Sequence, residues 1–376
     1  MERKLTKTGA TSLAAFCCLS MWVGIGCSTD IDLTAPYERT PVVFSLLEAA
    51  QDTQWVRINR TWLGDGNQFD AAMVQDSSEY DRDDLIVAMD ERSGEQVLRT
   101  WQLQDTVIEN KSTDGIFYGP NHQMWFFVPE GGLDSEAEYD FSMDIADGTH
   151  AEASTNMIAT QAGNITQPPP GVVNFKFGFA SIGFQTTYPD ITFKWSSTEG
   201  ASQYDISMRI HVTERIWADL EHTQLVDELD RIIEWPMGSL RTDTDEGGEV
   251  LQKEVNGERF FTTLSTQLVE DPYITRVLGS WDENVQIARA FDFILTIANE
   301  ELATYLEINS PVTGVIQERP EYTNINGGLG LFASRASQGV YGIGYTTSTI
   351  EQLMEGDATA ALNFCTPNPF SDFFCD

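Results

Sequence analysis

Basic residues are scarce in this chain of 376 residues. There are 22 lysines and arginines against 58 aspartates and glutamates, which gives a formal net charge of −36. A general nucleic-acid binder needs a basic surface that neutralises phosphates, so the composition excludes that class. The same charge repels anionic surfaces. Attachment to a membrane must therefore come from something other than electrostatic attraction.

Residues that carry common chemistries are also few. The chain has four histidines, and it contains neither a phosphate-binding P-loop nor an HExxH zinc motif. His211 and His222 lie near Glu214 and Glu221, but their spacing fits no zinc template. Carboxylates occur throughout the chain, so their sequence positions identify no general acid or base. We therefore expect no catalytic residues, no cofactor and a protein that is not an enzyme.

One glycine-rich motif could be mistaken for a cofactor site. Residues 328–333 (GLGLFA) fit a relaxed dinucleotide-binding fingerprint, which in that role is followed by a helix. Here residues 339–345 follow with the pattern of a strand. We therefore expect the glycines to allow a tight turn or close backbone packing.

The N-terminus has the composition of an export signal. Basic residues within the first seven positions precede an uncharged apolar run over residues 10–26, as in a secretory signal peptide. This run is short for a membrane-spanning helix, which needs about 20 residues. Residues 23–27 (VGIGC) resemble the lipobox of bacterial lipoproteins, although Gly24 stands where that family prefers Leu. The resemblance implies cleavage before Cys27 and a diacylglycerol on its thiol. An ordinary cleaved signal and an uncleaved anchor are the alternatives.

The start of the chain is accordingly divided into a lipoprotein signal peptide, 1–26, and an acidic tether, 27–40. The acyl chains on Cys27 would hold the protein to a lipid bilayer through about 0.8 kcal/mol per buried CH₂. Residues 28–32 (STDID) are short and acidic, and they resemble export signals that send some lipoproteins to the outer face of the outer membrane. We expect a lipid-anchored, surface-exposed protein of the cell outer membrane.

The cysteine count is consistent with export. Two of the five cysteines lie within the predicted signal peptide and Cys27 takes the lipid, so Cys365 and Cys375 remain. Disulfides persist in exported proteins. We predict a disulfide between these two residues, with two independent thiols as the alternative.

Alternating apolar residues predict β-strands over residues 41–162. From Tyr139 to Ile145 every second residue is apolar and the positions between them are polar, as in a strand with one buried face. Leu133 lies six residues before Tyr139, a spacing that resembles the fibronectin type III pattern in which a tyrosine pins a corner. We predict an N-terminal β-sandwich domain over this range.

A proline-rich stretch, 163–171, follows and is predicted to be an extended linker. Beyond it, over 172–376, Trp195 and a strand that begins near Tyr204 again resemble a sandwich core. Helical spacing is sparse and occurs near residues 256–271, 299–305 and 348–354. The predicted fold is mostly β, with two β-sandwich domains of immunoglobulin or fibronectin III type and short helical insertions in the second.

Two acidic loops suggest a calcium site. Asp243, Asp245 and Glu249 alternate with other residues around two glycines, which offers oxygen ligands without the spacing of an EF-hand. Residues 76–84 are similarly acidic but lack the turn glycines. Calcium binding and an ordinary solvated loop are both open at each position, and the solvated loop is the favoured interpretation.

Four motifs along nearly the whole mature chain resemble one family. They are residues 41–47 (PVVFSLL), 55–67 (WVRINRTWLGDGN), 115–120 (GIFYGP) and 322–335 (YTNINGGLGLFASR). Together they are similar to an uncharacterised family of lipoproteins from Bacteroidetes-type envelopes, whose members are often encoded beside TonB-dependent receptors. The resemblance implies an envelope location and such a receptor as a partner. It brings no activity and no catalytic residues.

The sequence thus predicts a non-catalytic accessory or ligand-capturing partner of a TonB-dependent transporter. A surface hydrolase acting on glycans or peptides is one alternative. A structural surface protein is another.

Lipidation is the first testable prediction. Radiolabelled fatty acid should enter the wild-type protein and be absent from Cys27→Ala, because the thiol is the acceptor that the lipobox resemblance implies. Labelling is read after electrophoresis of membranes from cells expressing each form. Equal labelling of the two forms would remove the lipoprotein interpretation.

Overall fold

The structure of the protein is a computed structural model, and it describes residues 39–63, 67–109, 112, 114–159, 164–310 and 321–375. Cys27, the predicted signal peptide and nearly all of the predicted tether lie outside these residues. The structure is 47% strand and 14% helix. The predicted mostly-β fold is therefore confirmed.

The elements are numbered in chain order. The strands are β1 (Pro41–Leu47), β2 (Gln54–Arg60), β3 (Leu85–Ser93), β4 (Gln96–Gln102), β5 (Gln104–Ile108), β6 (His122–Phe127), β7 (Glu138–Ile145), β8 (His150–Asn156), β9 (Ile165–Gln167), β10 (Lys176–Phe177), β11 (Asp190–Ser196), β12 (Gln203–Trp217), β13 (Leu225–Arg241), β14 (Val250–Asn256), β15 (Ile274–Leu278), β16 (Ser280–Asp282), β17 (Ile287–Arg289), β18 (Phe291–Ala298), β19 (Leu329–Tyr345) and β20 (Phe364–Cys365). The helices are α1 (Gln68–Ala72), α2 (Gln75–Ser78), α3 (Glu258–Gln267), α4 (Glu300–Asn309) and α5 (Thr347–Glu355), with 3₁₀ turns at Arg82–Asp84 and Ala360–Leu362.

The first half of the chain forms one sandwich. The sheet β4-β3-β7-β8 packs against β1, β2 and β6 of a larger sheet. Inward residues of both sheets meet in one core, for example Val43, Val87, Trp125 and Phe141. This burial follows from the period of two along each strand, because alternate side chains point to opposite faces.

The second half forms another sandwich. The three-stranded sheet β14-β11-β9 packs against β12, β13, β18 and β19, and the core contains stacked rings such as Phe193 on Phe293, with centroids 4.6 Å apart. Helix α3 closes this core with Phe260 and Leu264, both 0% exposed. The predicted helical insertions are confirmed at α3, α4 and α5.

The long strand β19 belongs to both sandwiches. Its first part, from Leu329 to Ser334, runs parallel to β1, and its later part pairs antiparallel with β18. Gly330 makes the first pairing possible, since a Cβ there would lie 1.9 Å from the carbonyl oxygen of Val43 at a φ of +117°. The expectation of close backbone packing in residues 328–333 is therefore confirmed.

The segment between the two halves is also built into the fold. Residues 165–167, within the stretch predicted to be a linker, form β9 and pair with β11. The side chain of Met157 belongs to the first core and that of Ile158 to the second. The described residues from Thr40 onwards form one compact unit.

Each sandwich has a tyrosine that ties a strand to the turn before it. The hydroxyl of Tyr139 accepts a hydrogen bond from the Asp134 backbone N–H at 2.8 Å, and Tyr204 accepts one from Thr198 at 2.8 Å. Tyr139 also donates to Glu91 at 2.7 Å. The predicted corner at Tyr139 is confirmed, and the second half of the chain has an equivalent one.

Cys365 and Cys375 are joined by a disulfide that closes a loop at the C-terminal end of the second sandwich. A loop of this size contributes somewhat less than about 3 kcal/mol in the chain-entropy description. Intact-mass measurement of the exported protein should show a gain of two hydrogens on reduction. Complete alkylation of both thiols before any reductant is added would show that the bridge does not form in the exported protein.

Tyr204 should make the protein sensitive to alkaline pH. Burial raises the pKa of Tyr204 to about 12, whereas a tyrosine in the unfolded chain titrates near 10. The folded state thus binds the proton more tightly, so the stability due to Tyr204 is full below about pH 10 and is lost towards about pH 12.

The variant Tyr204→Phe should lose less stability over this pH window than the wild type. It should be weaker at neutral pH by about 1–3 kcal/mol, because the Thr198 N–H loses its acceptor. Denaturant unfolding at a series of pH values measures both effects. Tyr341→Phe, at an exposed position, is the control, and an identical pH slope in wild type and Tyr204→Phe would contradict the assignment.

Candidate functional site

A polar pocket opens at the end of the first sandwich, where strand β2 ends. Its volume is about 450 Å³. Its wall combines acidic, basic and amide side chains, among them Arg60, Asp76, Glu79, Asp84 and Gln123. We call it the Gln123 pocket. Its lining comes from β2, β5, β6 and the excursion that carries α1 and α2.

Hydrogen bonds to β2 hold this excursion in place. The Asn59 side chain donates to the carbonyl of Ser78 at 3.1 Å, and Arg60 donates to the carbonyls of Ser77 and Asp76. The Arg60 guanidinium also lies 5.4 Å from the ring centroid of Tyr80. The backbone of residues 76–78 is thus fixed against the strand although α2 is one turn long.

Glu79 is a buried carboxylate that joins the excursion to β6. It accepts from the Gln123 backbone N–H at 3.1 Å and from the Gln75 side chain at 2.7 Å. Both donors are neutral, so Glu79 has no cation among its hydrogen-bond partners in the described part of the chain. Glu79 thus places a hydrogen-bonded carboxyl group in the pocket wall.

Gln123 takes a core-facing position in β6. The buried positions of this strand are Gln123, Trp125 and Phe127, so a carboxamide stands at the end of an aromatic row. Gln123 is 6% exposed, and its Nε2 has no hydrogen-bond partner among the described residues.

Arg60 forms no ion pair with a carboxylate among the residues that the structure describes. In the part of the chain that the structure describes, ten arginines form ion pairs with carboxylates, and Arg60 is not among them. Its guanidinium and the Gln123 amide are hydrogen-bond donors in the same pocket.

Two loops beside the pocket expose a group of apolar side chains. Each of these side chains is 46–62% exposed. The group consists of Leu63, Phe69, Met73, Val74, Ile116 and Phe117. We call this group the loop patch. The two loops contact each other through a hydrogen bond from the Tyr118 N–H to the Ala72 carbonyl at 2.9 Å and through the rings of Trp62 and Phe117 at 6.3 Å.

The structure does not assemble the histidine and glutamate group found in the sequence. His211 lies 2.8 Å from Asp292, in a separate pocket of about 540 Å³. Glu214 is buried and paired with Arg231 and Arg276. His211 and Glu214 therefore lie in different environments within the second sandwich.

The other two members of that group lie elsewhere. His222 contacts the carbonyl of Pro272 at 2.8 Å and stacks on Trp217. Glu221 is exposed in the turn between β12 and β13. No single site contains all four side chains.

The calcium candidates lie in an exposed turn before β14. The Asp243 N–H donates to the Glu249 carboxylate at 3.0 Å, and Asp245 uses its backbone carbonyl to accept from Gly200. Within the described ranges, no three histidine, cysteine or acidic side chains are grouped so that they could hold a metal ion. Of the acidic residues in 76–84, Asp76, Glu79, Asp81 and Asp84 line the Gln123 pocket.

Sequence reasoning identified the acidity of residues 76–84 but not the pocket or the loop patch. The helices α1 and α2 have five and four residues, too few for a helical period to be recognised. Gln123 fits the alternation of β6, and the sequence gives no sign that its amide lacks a partner.

The helices found in the described part of the chain include none that is both long enough and apolar enough to cross a membrane.

Comparison with known proteins does not assign the chain to a family. No protein-family model matches the chain, and no curated protein matches it. A crystal structure of trypsin-activated alpha-2-macroglobulin from Escherichia coli is similar at 11% identity, over 81% of this chain and 16% of that chain, with a TM-score of 0.18. A TM-score this low is not a sign of a shared fold.

Proposed function

We propose that this protein is an outer-membrane lipoprotein, anchored through Cys27 and exposed at the cell surface. In this proposal it acts without catalysis, as an accessory or ligand-capturing partner of a TonB-dependent transporter. The observation that carries the proposal is the loop patch beside the Gln123 pocket. The lipobox-like sequence supports the anchor, and the family resemblance supports the choice of partner.

The position of the loop patch supports a role in binding. Binding residues lie disproportionately on loops that a rigid scaffold holds in place. Contiguous exposed apolar side chains mark interaction sites more often than scattered ones do. Here the two loops are tied to each other, and the residues that follow the first loop are tied to β2 through Ser77 and Ser78.

The charges around the patch define the chemistry of the partner. Asp70 and Asp114 are exposed on the same loops as Phe69 and Ile116. A matching surface therefore has an apolar centre and basic side chains around it. A second copy of this chain would bring acid against acid, and an anionic lipid surface would be repelled. A transporter with a basic outer rim fits better.

A surface hydrolase is the second candidate, and one pair of residues favours it. His211 lies 2.8 Å from Asp292, whose other oxygen accepts from the Gly342 N–H at 2.8 Å. A carboxylate that orients a histidine is a recurring feature of hydrolytic sites. Ser280 and Thr213 line the same pocket, but Thr213 donates its hydroxyl hydrogen to Asp230.

Crosslinking of intact cells tests the accessory function. Reproducible capture of a large outer-membrane barrel is expected for the wild type, and raised salt should weaken it because exposed charge pairs are screened beyond about 8 Å. The double variant Phe69→Ser, Phe117→Ser should lower capture about tenfold or more, since apolar anchors at interfaces contribute most of the binding energy.

Phe184→Ser is the matched control, because Phe184 is 104% exposed and belongs to neither loop. It should leave capture unchanged. Equal capture by the control and the patch variant would exclude the loop patch. The hydrolase becomes the better candidate if the protein is found alone in every condition while purified material hydrolyses a glycan or peptide and Asp292→Asn abolishes this.

A further inference from the structure

We propose that the first half of strand β13, residues 225–233, binds an extended basic peptide that joins the large sheet as one more strand. We call this segment the β13 edge. The inference goes beyond the proposed function and uses neither the loop patch nor the Gln123 pocket. Unpaired backbone groups carry it, and the side chains around them determine the chemistry of the peptide.

Strand β13 lies at the border of the large sheet. It pairs with β12 and, among the described strands, with no other. The opposite side of β12 is occupied by β18 from Gln203 to Ile210 and by β15 from Val212 to Ile216. The outer side of β13 is therefore the side on which the sheet can be extended.

The hydrogen bonds of His211 establish which groups of β13 face outwards. The His211 N–H donates to the carbonyl of Ala290 at 2.8 Å, and its own carbonyl accepts from the Gly279 N–H at 2.9 Å. Its backbone thus faces away from β13. Backbone groups of successive residues in a strand point to opposite sides. Ile232, the register partner of His211, therefore directs its N–H and C=O outwards, and so does Asp230 two residues before it.

Glu234 confirms this register from the other side. Its carbonyl accepts a hydrogen bond from the Gln267 side chain of helix α3 at 3.1 Å, so the backbone at Glu234 also faces outwards. Helix α3 therefore covers the outer side of β13 at this residue. The backbone N–H groups of Asp230 and Ile232 have no such partner within the described residues.

The β13 edge lacks the protection that other edge strands have. Natural edge strands are usually short or blocked, because an open edge pairs with other chains. Strand β13 has 17 residues, whereas the edge strands β8 and β14 have seven each. Asn326 exchanges two backbone hydrogen bonds with Glu152 of β8, and β14 carries Lys253. Residues 225–233 contain neither lysine nor proline. Strand addition is the recognition mode that such an edge fits.

The charges along the β13 edge select a basic strand. Asp227 and Asp230 are exposed, and neither forms an ion pair in the described part of the chain. Arg231 is the one basic residue in 225–233, and its guanidinium is bound to Glu214 at 2.9 Å. The β13 edge of a second copy would bring carboxylates against carboxylates, whereas lysine or arginine would be attracted.

The two faces of the β13 edge match different side chains. Asp230 lies on the solvent face of the sheet, since its neighbours along that face alternate with the buried Ile233 and Trp235. Leu225 and Leu229, on the other face, are each 46% exposed. Residues directly opposite each other in an antiparallel pair lie on the same face. The matching peptide therefore alternates basic and apolar residues.

A synthetic peptide of this pattern tests the inference. Full-length protein in a neutral detergent is titrated into fluorescently labelled acetyl-KVKVKVKV-amide, and anisotropy should show saturable binding. Hydrogen–deuterium exchange of segment 225–233 should slow at least about tenfold in the complex, because outward N–H groups acquire acceptors. Acetyl-EVEVEVEV-amide should not bind because of its charge. The lysine peptide N-methylated at every residue should not bind either, because it has no backbone donors.

A proline at position 232 blocks the β13 edge without removing a hydrogen bond to β12, because the N–H of Ile232 faces outwards. Ile232→Pro should weaken binding of the lysine peptide about tenfold or more. Ile232→Thr is the matched control. It keeps the N–H and a β-branched side chain, so it should change the affinity less than about threefold.

A charge reversal gives a gain of binding that a damaged fold cannot produce. The double variant Asp227→Lys, Asp230→Lys should weaken binding of the lysine peptide about tenfold and should bind the acidic peptide. Glu95→Lys, Glu130→Lys makes the same change in net charge at exposed positions of the first sandwich. This control should bind both peptides as the wild type does.

Four results would overturn the inference. The first three are no binding of the lysine peptide, equal binding of its N-methylated form, and equal weakening by Ile232→Pro and Ile232→Thr. The fourth is a dimer in analytical ultracentrifugation that Ile232→Pro abolishes, which would assign the β13 edge to a second copy of the chain. The crosslinking test remains separate, because none of these variants changes the loop patch.

Discussion

The fold depends on the pairing of β19 with β1. Residues from Leu329 to Ser334 supply a parallel strand to the first sandwich, and Phe332 is buried in its core. Only a glycine at position 330 allows the two backbones to approach, because a Cβ would overlap the carbonyl oxygen of Val43. The rest of β19 is committed to the second sandwich. The first sandwich is therefore completed by the last third of the chain, and the two halves cannot be treated as independent.

This constraint also positions the candidate site. Strand β1 is held on one side by β19 and on the other by β2, so the end of β2 at Arg60 is fixed relative to both sandwiches. From there, Asn59 and Arg60 hold the backbone of residues 76–78. The excursion that bears most of the loop patch and part of the wall of the Gln123 pocket is therefore bonded to a fixed strand, although its own helices are short.

The sequence predicted those features of the fold that depend on a pattern of neighbouring residues. The alternation from Tyr139 to Ile145 is reproduced residue by residue in the burial of β7, and the corner at Tyr139 follows from spacing within one strand and its turn. The pairing of β1 with β19 joins residues 287 apart, such as Val42 and Leu329. Many strands of similar apolarity could pair in its place, so no local pattern specifies it. The pocket was not predictable for the same reason, because Arg60, Glu79 and Gln123 come together only through tertiary contacts.

Unsatisfied buried groups do not all have the same meaning in this protein. Trp195 Nε1 and Tyr345 Oη also have no hydrogen-bond partner among the described residues, and both side chains lie in the second core. There the large apolar area of an aromatic ring offsets the lost hydrogen bond. The carboxamide of Gln123 brings no comparable apolar area, and a methionine of similar shape would fill its place without an orphaned donor. What distinguishes Gln123 is thus the absence of a compensating gain in the folded protein, together with its place in the wall of a pocket.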